Sequence, residues 1–192
     1  MTLLVVGLAV FLGTHSMRIV ANDWRSATIA RRGERAWKLA FSILSLLGLV
    51  LIVYGYDQAR QATAVLYTPP VWSRHAAAAL VLLSFVLIAA AYVRGTRIKA
   101  RVGHPMVLGV KVWAFAHLLA NGTLADVVLF GAFLAWAVLD YIASRRRDRS
   151  AGVVYPVGPP SRDAIAIAAG VAAWALFAFV LHGPLIGVRP LP

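Results

Sequence analysis

Long apolar runs alternate with short, mostly basic loops along this chain. Six runs can be drawn, at about 2–21, 36–55, 71–93, 105–121, 124–142 and 164–183. Each is near the ~20 residues a helix needs to cross roughly 30 Å of hydrocarbon. The pattern predicts an all-α fold, a polytopic membrane helix bundle with six transmembrane helices and a single domain over residues 1–192. Only Asn121-Gly122-Thr123 separates the fourth and fifth runs, which predicts an antiparallel hairpin closed by a tight turn. The loop at 143–163 is the longest and carries Pro156, Pro159 and Pro160, so it reads as an extended connection without a domain of its own. No internal repeat is evident.

Charge orients the runs. Three alternate loops hold fourteen of the nineteen Lys and Arg: Arg25, Arg31, Arg32, Arg35 and Lys38; then Arg94, Arg97, Lys99 and Arg101; then Arg145, Arg146, Arg147, Arg149 and Arg162. The positive-inside rule puts these loops in the cytoplasm and both termini on the outer side. A net charge of +12 would suggest nucleic acid in a soluble protein. Here the cations flank apolar spans in a chain with 61% hydrophobic residues and a mean hydropathy of +0.78, so the partner is the lipid bilayer. There is no cysteine, which excludes disulfides, thiolate metal sites and covalently attached c-type haem. The first run has no preceding Lys or Arg and no good cleavage site, and reads as a retained helix.

The residues that stand out are histidines inside apolar runs, because hydrocarbon offers imidazole nitrogens no partner. His117 lies in the fourth run, on a four-residue stripe with Gly109, Trp113 and Asn121. Such a face suits a planar ligand, with Trp113 as an aromatic wall; equally it suits a close helix–helix contact with His117 bonded internally. His15 lies in the first run on a stripe with Gly7, Phe11 and Arg18, and Arg18 is placed either to pair with a ligand carboxylate or to snorkel to lipid phosphate. By depth, His15 is roughly 10 Å and His117 roughly 20 Å from the cytoplasmic ends of their runs, which makes His182 a rival partner for His117. His75 and His182 read as interfacial, and Lys111 as snorkelling toward the cytoplasmic side. Asp140 is expected to pair with cytoplasmic arginines and Asp126 to serve the first turn of its own helix. No nucleophilic triad, Walker loop, dinucleotide glycine pattern or catalytic carboxylate pair is present.

The block His104-Pro105…Trp113-Ala-Phe-Ala-His117…Asn121-Gly122, with Gly131 and Trp136 beyond it and Gly13-Thr-His15-Ser16-Met-Arg18 before it, resembles the NnrU family over nearly the whole chain. Bacterial members are membrane proteins associated with reduction of nitrite and nitric oxide. The family also contains the plant and cyanobacterial zeta-carotene isomerase, a b-type haem enzyme. By motif its axial histidines correspond to His15 and His117, so the resemblance favours that pair over the depth-matched one. Where the isomerase has a cysteine three residues before its ligand histidine, this chain has Ala114.

The resemblance implies a bacterial inner-membrane protein binding haem b through His15 and His117, with Arg18, Gly109, Trp113 and Asn121 around the cofactor. It implies a redox or polyene-isomerase-like role and a hydrophobic small molecule as partner. A second hypothesis is a haem-free membrane assembly factor for denitrification enzymes. A weaker resemblance, at Arg101-Val-Gly-His104-Pro105, is to membrane methyltransferases acting on lipid or isoprenoid substrates, which use an acidic pair that the run Arg145–Arg149 lacks.

Overall fold

The computed structural model describes residues 1–190. Its helices are α1 (Thr2–Val20), α2 (Asn22–Arg32), α3 (Glu34–Gln61), α4 (Val71–Tyr92), α5 (Arg97–Val102), α6 (Pro105–Ala120), α7 (Leu124–Ser150) and α8 (Ser161–Ala175). A π-helical stretch, Leu176–Leu181, carries α8 into the short α9, His182–Ile186. The packing order across the bundle is α3, α1, α7, α6, α4, α8, each touching the next. Among the described residues α1 and α6 share no contact; α7 touches both.

Among the described residues, five helices are long and apolar enough to cross a membrane: α1, α3, α4, α7 and the continuous segment Ser161–Ile186. Five of the six spans expected from the sequence are thus present as helices of this length. The fourth apolar run forms α6 with 16 residues, or ~24 Å at 1.5 Å per residue. Its ends are fixed early. Gly103, at φ +77°, and Pro105 start it, and Asn121 ends it in extended backbone. It still joins the two ends of the bundle, running from His104, bonded to Asp148 of α7, to the Tyr67 side of the α6–α7 turn.

Large apolar side chains point outward along these helices, among them Leu46, Val53, Leu139 and Phe179, each about three-fifths exposed. So much apolar surface is a liability in water and the normal state against lipid chains. The buried core, Leu4, Leu8, Ile52, Ala59, Ala125, Leu129 and Phe130, joins α1, α3 and α7. Glycine brings α1 and α3 to backbone contact. A methyl group on Gly7 would lie 2.6 Å from the Ile52 nitrogen, and one on Gly48 2.8 Å from that of Phe11.

Two loops have more structure than the hydrophobic pattern shows. The first basic loop folds as α2, broken from α1 at Ala21 and from α3 at Gly33. On the opposite end, residues 62–70 clamp the α6–α7 turn. The Leu66 N–H donates to the Gly122 carbonyl at 2.8 Å, and the Leu124 N–H donates to that of Ala64 at 2.8 Å. Thr123 and Asp126 form a reciprocal capping box at the start of α7, as expected for Asp126, and Tyr56 adds a hydrogen bond to Asp126 at 2.6 Å.

Candidate functional site

His15 and His117 are held in the same way. Each Nδ1 lies 2.8 Å from a backbone carbonyl one turn back, that of Phe11 for His15 and of Trp113 for His117. A carbonyl only accepts, so Nδ1 carries the proton, and in the neutral ring Nε2 keeps its lone pair. That tautomer is the one an imidazole needs to ligate iron through Nε2.

Both rings are packed among aromatics. His15 stacks on Phe11 with centroids 4.2 Å apart and meets the edges of Phe41 and Trp136 at 5.0 and 6.0 Å. His117 stacks on Phe130 at 4.6 Å and leans on Trp113 at 4.9 Å. Phe133 joins the two clusters, 5.8 Å from Phe11 and 5.5 Å from Trp113. The contacts on α7 give their relative depth. Trp136 beside His15 and Phe130 beside His117 are six positions apart, about 9 Å along the helix. The offset read from the sequence is therefore present.

A groove of about 700 Å³ opens at the end that collects the basic loops, and its wall includes His15, Arg18, Phe41, His104, Trp136 and Arg147. His117 does not line it. Asn121 caps α6, its side-chain N–H donating to the His117 carbonyl at 2.9 Å and its own carbonyl accepting from Tyr67 at 2.6 Å. Burial raises the pKa of that Tyr67 hydroxyl. Gly109 packs against Ile88 and Ser84 of α4 and not against the aromatic cluster of α7, and its carbonyl accepts from the Ser84 hydroxyl at 2.8 Å. His182 Nδ1 donates to the Val188 carbonyl at 2.6 Å, with the Phe177 ring 5.6 Å away. His75 is exposed at the start of α4.

The other charged residues take simple roles. Lys111 reaches toward the basic end, over the Tyr141 ring at 5.9 Å. Asp140 meets Arg147 at 4.0 Å. His104, which opens the family block at the start of α6, lies 2.9 Å from the Asp148 carboxylate. Tyr155 donates to the same oxygen at 2.8 Å. Burial and this hydrogen bond push the Tyr155 hydroxyl up to about 12. Nothing in the sequence pattern joins these residues, because one ends a helix and another lies in a proline-rich loop.

Among the described residues, no group of three or more His, Asp or Glu converges to hold a bare metal ion. A haem ring brings four nitrogens of its own and needs only one or two imidazoles. These features define a helical bundle of membrane type with an imidazole in each of two helices that share α7 as neighbour. The sequence model of the NnrU protein family matches residues 3–190, and the chain belongs to that family. No curated protein and no solved structure gives a significant match.

Proposed function

We propose that the protein binds b-type haem through His15 and His117, in a six-span bundle of a bacterial inner membrane with both termini periplasmic. In this reading it serves a redox or polyene-isomerase-like role linked to nitrite and nitric oxide reduction. The observation that carries it is the matched pair of Nδ1 bonds, on two helices that do not touch each other. Each neutral ring leaves an Nε2 lone pair among aromatic rings, His117 away from the groove and His15 at its wall, which fits the donor set of a bis-histidine site.

Haem would supply a one-electron centre there. His15 and His117 would hold it, Trp113 would flank it, and Arg18 at the groove would pair with a propionate. The rings of Phe11, Phe133, Trp113 and Phe130 stand between the two imidazoles and would have to rotate to admit a ligand touching both. Ala114 leaves no thiolate for ligand exchange. α6, although short, counts as the sixth span because it joins both ends of the bundle.

The second reading is a haem-free assembly factor, in which the same Nδ1 bonds simply satisfy two buried imidazoles. A methyltransferase is less well supported, since Asp148 is engaged by His104 and Tyr155 and has no acidic companion in its run. The test is the visible spectrum of the purified protein after expression with ample haem, oxidised and then reduced with dithionite. A Soret band with sharp low-spin α and β bands is expected. A colourless, folded protein would leave the assembly-factor reading.

A further inference from the structure

We propose that the groove at the basic end is a binding site for an anionic phospholipid, with the phosphate at its cationic rim and an acyl chain along its apolar wall. This does not depend on haem binding.

Cations reach the groove from five helices: Arg18 of α1, Arg25 of α2, Lys38 of α3, Lys99 of α5 and Arg147 of α7. Only two carboxylates line it. Glu34 is taken by Lys38 at 2.8 Å, and Asp140 lies 4.0 Å from Arg147. Leaving aside Arg18, which the haem reading gives to a propionate, Arg25 and Lys99 have no carboxylate partner among the described residues, so the groove carries an uncompensated positive charge with or without haem. Converging cations of this kind select phosphate oxygens.

The rest of the wall is apolar, with Phe41, Met106, Val107 and Trp136. The Trp136 indole N–H is buried without a hydrogen-bond partner. An unpartnered buried donor is costly, and a small turn of the indole toward the groove would give it an acyl ester carbonyl as acceptor. A free anion would leave the apolar wall unused, and a neutral hydrocarbon would leave the cations unused. The groove lies at the end that the positive-inside rule assigns to the cytoplasmic leaflet, where anionic lipids attract basic clusters.

The experiment is native mass spectrometry of the delipidated full-length protein in detergent, with dioleoyl-phosphatidylglycerol or dioleoyl-phosphatidylcholine added. We expect phosphatidylglycerol to be retained over phosphatidylcholine by about fivefold or more, as for a pair of charge-assisted contacts. Arg25→Gln with Lys99→Gln should abolish the preference, and Met106→Trp should weaken retention of both lipids. Arg94→Gln with Arg146→Gln removes the same charge outside the groove and should change neither. If the first double variant does not fold, Lys99→Gln alone is read. Equal loss in the two double variants, no preference in the wild type, or displacement of the lipid by inorganic phosphate would overturn the proposal. The haem spectrum of each preparation is recorded in parallel, so a wild type that holds haem but shows no lipid preference counts against this site alone, and a wild type that shows the preference without haem counts against the haem reading alone.

Discussion

Several polar side chains in this bundle find their partners one turn back on their own helix, whereas Tyr56 and Ser84 reach across to Asp126 and Gly109 of neighbouring helices. Thr14, His15 and Ser16 bond in succession to the carbonyls of Val10, Phe11 and Leu12, and His117 repeats the arrangement on α6. A polar group surrounded by lipid and apolar neighbours has few other choices. At the basic end the partners lie farther apart in sequence, and titration becomes observable. Tyr155, raised to about 12, is protonated in the fold at pH values where the unfolded chain has begun to ionise near 10. The folded state therefore holds its proton more tightly, so its contribution is complete below pH 10 and lost as pH rises toward 12. Tyr155→Phe should lower stability by about 1–2 kcal/mol at pH 8, read as thermal unfolding in detergent. It should also shrink the fall in melting temperature between pH 8 and pH 11. An unchanged pH dependence would show that the Asp148 contact does not control this titration.

At the level of elements, the α6–α7 hairpin behaves as a unit held from outside. A rigid insertion between Asn121 and Gly122 would break the contacts with residues 62–70 as well as the turn, and should prevent folded protein from accumulating. The same insertion between Gly152 and Val153, in an exposed connection, should be tolerated. Folded yields measured by size-exclusion chromatography compare the two, and equal yields would contradict a clamped hairpin. The hairpin and the apolar helices were legible in the sequence because they depend on runs and on one short turn. The clamp was not, since Ala64, Leu66 and Tyr67 carry no signal of long-range pairing. Nor was α2, whose composition is polar and basic and hides a helix in what looks like a loop. His15 and His117 could be named from their surroundings, but their aromatic neighbours come mostly from α7. Gly109, on the same stripe as His117, turns out to serve the contact with α4.

For the molecule as a whole, the arrangement predicts two chemically different ends. One gathers α2, α5 and the 151–160 connection around arginines; the other gathers residues 62–70, the α6–α7 turn and α9. Reporter fusions after Ala21, Gly95 and Ser150 should report cytoplasm, and fusions after Gln58 and Pro192 should report periplasm. A cytoplasmic report after Pro192 would mean that α6 does not span. The central claim remains that His15 and His117 bind one haem, and their isolation on helices that never touch makes it testable residue by residue. The most direct measurement is haem content and reduced spectrum of four purified variants, His117→Ala, His15→Ala, His182→Ala and His75→Ala. The account predicts loss of haem for His117→Ala and His15→Ala, with full haem and unchanged low-spin bands for His182→Ala and His75→Ala. Loss with His182→Ala and not His15→Ala would move the second ligand to the outer end, and full haem in His117→Ala with unchanged low-spin bands would contradict the site itself.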